Sequence, residues 1–148
     1  MSTTDTHDLD WLDGLVKGLA TGTMTREQAI AFLGDDAGPD SSRQGGRLVR
    51  PRSKSLASAS VYPLDHIGTP VAVEIAFAPD AMPTLDALAA KLGPFRPMPR
   101  APDDFRSGDK FACYVERADT KTTVRIFAEQ DRTSKRIAKL FVDAYTSK

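Results

Sequence analysis

The stretch Val71–Phe77, VAVEIAF, decides how the rest of the chain is read. Val71, Val73, Ile75 and Phe77 alternate with Ala72, Glu74 and Ala76. A period of two marks a β-strand with one large apolar face and one face of small side chains. Pro79 closes the stretch, because proline has no N–H to give a sheet ladder.

Downstream, the pattern predicts elements that extend or cover this strand. Thr84 can cap a helix that carries Leu85, Leu88, Ala89 and Leu92 on one face and ends at Gly93-Pro94. Lys110–Glu116 alternates with Phe111, Cys113 and Val115 facing in, and Thr122–Glu129 with Val124, Ile126 and Ala128. Two such runs with a short connection predict a β-hairpin. Ser134 then stands before Ile137, Leu140, Phe141, Ala144 and Tyr145, a spacing that predicts a final amphipathic helix.

Upstream, Leu9, Leu12, Val16 and Leu19 recur at helical steps, with Trp11 and Leu15 widening the stripe. Thr25-Arg26-Glu27-Gln28 fits a capping box ahead of Ala29, Ile30 and Leu33. The expectation is an αα-hairpin over 1–34 that docks through Trp11, Leu12, Leu15, Leu19, Ile30 and Leu33. It can dock on its own domain, on another protein, or on a second copy as a homodimer. Residues 35–58, rich in Gly, Ser, Asp and Arg, read as a flexible basic linker. Leu56–Tyr62 is a candidate edge strand.

The fold class expected is thus α+β. An N-terminal αα-hairpin and a linker precede a (β)βαββα two-layer sandwich, over 59–148, with a mainly antiparallel sheet. Strand order stays open. The face opposite the core would carry Ala72, Glu74, Ala76, Ala112, Tyr114, Arg125 and Phe127.

Charge adds an asymmetry to a chain whose net charge is zero. Residues 1–40 hold eight acids and two bases, whereas 41–64 hold five bases and no acid. Overall neutrality argues against a general polyanion binder. With one cysteine, Cys113, no intrachain disulfide can form. The acidic start MSTTDTHDLD lacks the pattern of a signal peptide, and no apolar run reaches the length of a membrane span. A cytoplasmic protein with no membrane partner is expected.

Chemistry is sparsely signalled. His7, His66 and Cys113 are isolated in sequence, so neither a metal nor a cofactor is expected and no catalytic residue is assigned. Glu74, Glu116 and Glu129 are strand carboxylates without the signature of a pocket. The segment 93–109 carries four prolines together with Phe95, Arg96, Arg100, Phe105 and Arg106. Long loops and arginine–aromatic clusters suit partner binding, so these five residues are the candidate contact site. The reading is a non-enzymatic protein-interaction module of adaptor, inhibitor or toxin-neutralising type, its partner another protein. One alternative is a small-molecule-binding or enzymatic domain that uses the open sheet face around Glu74, Tyr114 and Arg125. Another is a weak nucleic-acid binder through Arg43–Lys54, although no aromatic accompanies those bases.

Overall fold

A computed structural model of the chain describes residues 9–22, 24–42, 45–64, 69–99, 109–117 and 122–146. It is an α+β structure built on one antiparallel sheet of eight strands. In chain order the elements begin with helices α1 (Asp10–Ala20) and α2 (Arg26–Leu33). Strands β1 (Gly34–Pro39), β2 (Arg47–Pro51), β3 (Leu56–Leu64) and β4 (Thr69–Phe77) follow. A 3-10 turn (Pro79–Ala81), helix α3 (Leu85–Leu92) and the two-residue β5 (Arg96–Pro97) lead to β6 (Lys110–Arg117), β7 (Thr122–Gln130) and β8 (Ile137–Thr146). The strand order is β1-β2-β3-β4-β8-β7-β6-β5. Two four-stranded meanders therefore meet at β4 and β8, where Val73 pairs with Val142 and Ile75 with Leu140.

β4 contains the VAVEIAF stretch, and its large apolar face is the floor of the core. Val71, Val73, Ile75 and Phe77 are buried, together with Val124, Ile126 and Ala128 of β7 and Leu140, Val142 and Ala144 of β8. Both N-terminal helices lie on this face. Leu12, Leu15 and Leu19 of α1 and Ile30 and Leu33 of α2 are buried in the same cluster, and Trp11 packs 6.4 Å from Phe77. Helix α3 buries Leu88 in that cluster, and the carbonyl of Leu92 at its end stands 3.7 Å from the Cys113 sulfur. Among the described residues the result is two layers, with the helices on one side of the sheet.

Local chemistry accounts for the helix boundaries. The Thr25 hydroxyl accepts from the Gln28 amide at 3.1 Å, and Gln28 Oε1 accepts from the Thr25 amide at 2.9 Å, a complete capping box. Thr84 caps α3 by accepting from the Ala87 amide at 3.1 Å. Glycines inside α1 weaken a helix in isolation. Here they admit neighbours: a Cβ at Gly14 would lie 2.9 Å from the Phe32 ring, and one at Gly18 would fall on the Met24 methyl.

Two expectations are corrected. Residues 137–146 form a strand, not a helix. IAKLFVDAYT fits both periods, since Leu140, Val142 and Ala144 also alternate with Lys139, Phe141, Asp143 and Tyr145. Strand pairing on both sides, to β4 and β7, selects the period of two. The segment before it is a turn in which Lys135 takes φ 63°. There the Ser134 amide donates to Asp131 Oδ2 at 2.8 Å, which holds that carboxyl below its usual range. The second correction concerns 35–58. This basic stretch holds β1, β2 and the start of β3 rather than a flexible linker, and β3 is an interior strand between β2 and β4, not an edge. Short strands near a sheet edge need few apolar side chains, because most of their surface faces water. Val49 alone of β2 is buried.

Among the described residues, no helix is long and apolar enough to cross a membrane.

Candidate functional site: the uncovered face of the sheet

Among the described residues, no helix lies on the other face of the sheet, where Leu48, Met98 and Tyr114 are exposed while Ser60, Tyr62, Ala72, Ala112 and Asp143 are buried. The strand registers arrange its side chains in rows across the strands. One row runs Leu48, Ser60, Glu74, Phe141, Phe127, Ala112 and Arg96, from β2 to β5. The next runs Ser58, Ala76, Lys139, Glu129 and Lys110. On the other side of the first row, Asp143, Arg125 and Tyr114 are neighbours.

Aromatic rings form the middle of the face. Tyr62 and Phe141 lie 6.1 Å apart, Phe141 and Phe127 6.0 Å, and Phe127 meets Tyr114 edge-on at 6.4 Å. Such offset and edge contacts suit the ring quadrupoles. Beside the rings is a hollow of 330 Å³ lined by Phe127, Phe141, Leu140, Met98, Glu74 and the Lys110–Glu129–Lys139 row. A second hollow of 240 Å³ continues it across Glu74 and Lys139 toward Ser58, Ser60, Leu48 and Asp40. Together they make a shallow trough across the strands, apolar at the β6 end and polar at the β2 end.

One corner of this face is closed. Arg125 Nε and Nη2 donate to the two Asp143 carboxylate oxygens at 2.7 and 2.6 Å. Asp143 is only 2% exposed. The guanidinium also stands 5.8 Å from the Phe127 ring centre and 5.2 Å from that of Tyr145. The Asp143 hydrogen bonds raise the Arg125 pKa further. A bidentate pair stacked between rings is a rigid strut, because the fork geometry fixes both partners. It holds Phe127 at the centre of the face.

The residues singled out in the sequence separate into three groups. Phe95 packs against the core, and Arg96 is exposed on the edge strand β5. Arg100, Phe105 and Arg106 lie outside the described residues, as do His7, His66 and Arg43. Trp11, Leu12, Leu15, Leu19, Ile30 and Leu33 face the chain's own sheet, five of them buried and Trp11 partly so. Of the basic stretch, Arg47 forms an ion pair with Asp36 at 3.0 Å. Arg52 donates to the Ala31 and Phe32 carbonyls at the end of α2, at 3.1 and 3.4 Å. These arginines brace α2 and the β1–β2 edge. Cys113 lies on the covered face, where burial pushes its thiol pKa up. No three His, Cys, Asp or Glu side chains converge among the described residues.

Sequence reasoning placed Glu74, Tyr114, Arg125 and Phe127 on one face but missed Phe141, Lys139 and Asp143, because it read β8 as a helix. The alternation Lys139, Phe141, Asp143, Tyr145 was the signal available.

Fold and site define the class of this chain: an α+β protein with a one-sided sheet and an aromatic, charge-balanced free face. Compared with protein-family models, with curated proteins and with solved structures, the chain matches none.

Proposed function

We propose that this chain is a non-enzymatic protein-interaction module and that the uncovered sheet face is its contact surface. One observation carries the reading. Among the described residues, the exposed large apolar side chains are Leu48 (43%), Met98 (37%) and Tyr114 (54%), and all three belong to this face. Scattered exposed apolar residues are ordinary; their collection on one face beside half-covered Phe127 and Phe141 is the mark of an interaction surface. Aromatic residues and methionine at the centre, with charges around them, match the composition of protein interfaces.

The test is site-specific photo-crosslinking in the cells that make the protein. A photoreactive residue at Tyr114 is compared with one at Asp86, which is exposed on α3 at the helical side. An adduct with a polypeptide at 114 and none at 86 supports the proposal. Equal adducts at both positions, or none at 114, refute it.

The 330 Å³ hollow supports a second reading, a binding site for a small ligand, since it falls at the lower end of ligand-pocket sizes. Native mass spectrometry separates the two readings. A retained low-mass compound, with no adduct at 114, favours the small ligand.

A further inference from the structure

We propose that the protein docking on this face is a second copy of the chain, stacked sheet to sheet about a two-fold axis. The inference rests on the reading of the uncovered face as a protein contact, and it names the partner.

The charge pattern selects it. A face with one sign of charge selects a partner of the opposite sign. Here the signs alternate instead: Lys110, Glu129 and Lys139 are consecutive in one row, and Glu74 is diagonal to Lys139. Consider a two-fold axis parallel to the strands, between β7 and β8. It sets β7 of one copy over β8 of the other and leaves the rows in line. Each cross-strand pair then faces its own image, exchanged. Glu129 stands over Lys139 of the second copy, and Lys139 over its Glu129. Phe127 stands over Phe141 of the second copy, and Lys110 comes over Ala76, where a methyl group leaves room. The central rings meet rings and the Glu129 and Lys139 charges meet their opposites, with no other protein required. Zero net charge adds no long-range repulsion between copies.

Features of both sheet edges disfavour the competing mode, in which copies join strand to strand. Edge strand β1 carries Asp35 and Asp36, a register shift between Asp36 and Gly38, and Pro39 at its end. The opposite edge, β5, is two residues long and one of them is Pro97. Charge, irregularity and proline are the devices that stop edge pairing. The proposed association uses the face, in the aligned packing usual for stacked sheets.

Size sets the strength. In this stacking six strands overlap, from β3 to β5 in sheet order, about 24 Å at the usual strand spacing, and the rows extend about 15 Å along them. Two such faces bury on the order of 1,000 Å² in total, below the usual range for permanent complexes. The dimer is therefore a weak one, formed at high protein concentration and lost on dilution.

Sedimentation velocity on the full chain, from about 1 µM to about 200 µM, tests this over the range where an interface of that size dissociates. The expected result is a rise from 16.1 kDa toward twice that mass. Lys139→Glu sets a second carboxylate over Glu129 twice per dimer and should weaken association at least about tenfold. Glu129→Lys combined with Lys139→Glu exchanges the signs, restores the opposition of 129 and 139 between the copies, and should return affinity to within about threefold of the wild type. Both positions are at the surface, and a thermal melt of the dilute monomer verifies that each variant folds. A monomer throughout the range overturns the proposal. So does a dimer unaffected by Lys139→Glu, or an exchange variant as weak as the single one. A monomer that still crosslinks to a different protein at position 114 overturns the dimer alone and leaves the interaction reading standing.

Discussion

Removing the guanidinium of Arg125 should destabilise the chain by about 2–3 kcal/mol, an estimate that follows from the burial of its partner. Asp143 is 2% exposed, and its described partner is Arg125, through bonds of 2.7 and 2.6 Å to both carboxylate oxygens. Breaking a fully buried ion pair from one side costs roughly 3–5 kcal/mol, because the remaining charge is stranded. The Arg125 side chain is 31% exposed, so water entering the vacated space solvates part of the carboxylate and moves the cost below that range. Loss of the contacts with Phe127 and Tyr145 adds a few tenths to about 1 kcal/mol. For a chain of this length, Arg125→Ala should lower Tm by roughly 5–10 °C. The assay is a thermal or urea melt followed by circular dichroism. The loss should persist in about 1 M salt, since a buried pair is little screened. The double variant Arg125→Met, Asp143→Leu should recover most of it, because no charge is left without a partner. A melt of Arg125→Ala within about 2 °C of the wild type would refute the reasoning and show that the Asp143 carboxylate is solvated in the folded chain.

Other substitutions probe the helical layer and the covered face. Thr25→Ala removes one half of the capping box and should cost about 1 kcal/mol, read from a urea midpoint with unchanged slope. Gly34→Ala would put a Cβ onto the Arg50 carbonyl oxygen across the β1–β2 pair. A backbone atom cannot yield as a flexible side chain does, so a loss of at least about 2–3 kcal/mol is expected, with chemical denaturation as the check. Burial raises the Cys113 thiol pKa in the folded chain, so the unfolded chain releases that proton first. The contribution is fully present below about pH 8.5 and is lost as pH rises toward the folded value. Stability should fall over that alkaline window in the wild type and less in Cys113→Ala. The native thiol should also resist a thiol reagent at pH 7 that labels the unfolded chain readily.

The sequence was most legible where one period stood alone. VAVEIAF, KFACYVE and TTVRIFAE alternate cleanly and form β4, β6 and β7, and the caps at Thr25 and Thr84 hold the helices they announce. It was least legible where local signals conflict with the tertiary setting. IAKLFVDAYT carries both a helical and an alternating apolar set. Its position between β4 and β7, which no local pattern records, decides between them. The strands β1 and β2 are polar because they lie near a sheet edge, so their composition imitates a linker. The candidate site shared these limits: the half contributed by β4, β6 and β7 could be read, and the half contributed by β8 could not.

The most direct test of the central claim is hydroxyl-radical footprinting of the protein, dilute and associated. The account predicts that Met98 and Tyr114 are oxidised readily in the dilute chain and become protected together on association, whereas Met82 and Phe95 on the helical side keep their rates. Protection spread evenly over both sides, or confined to the helical side, would contradict the assignment of the uncovered sheet face as the contact surface.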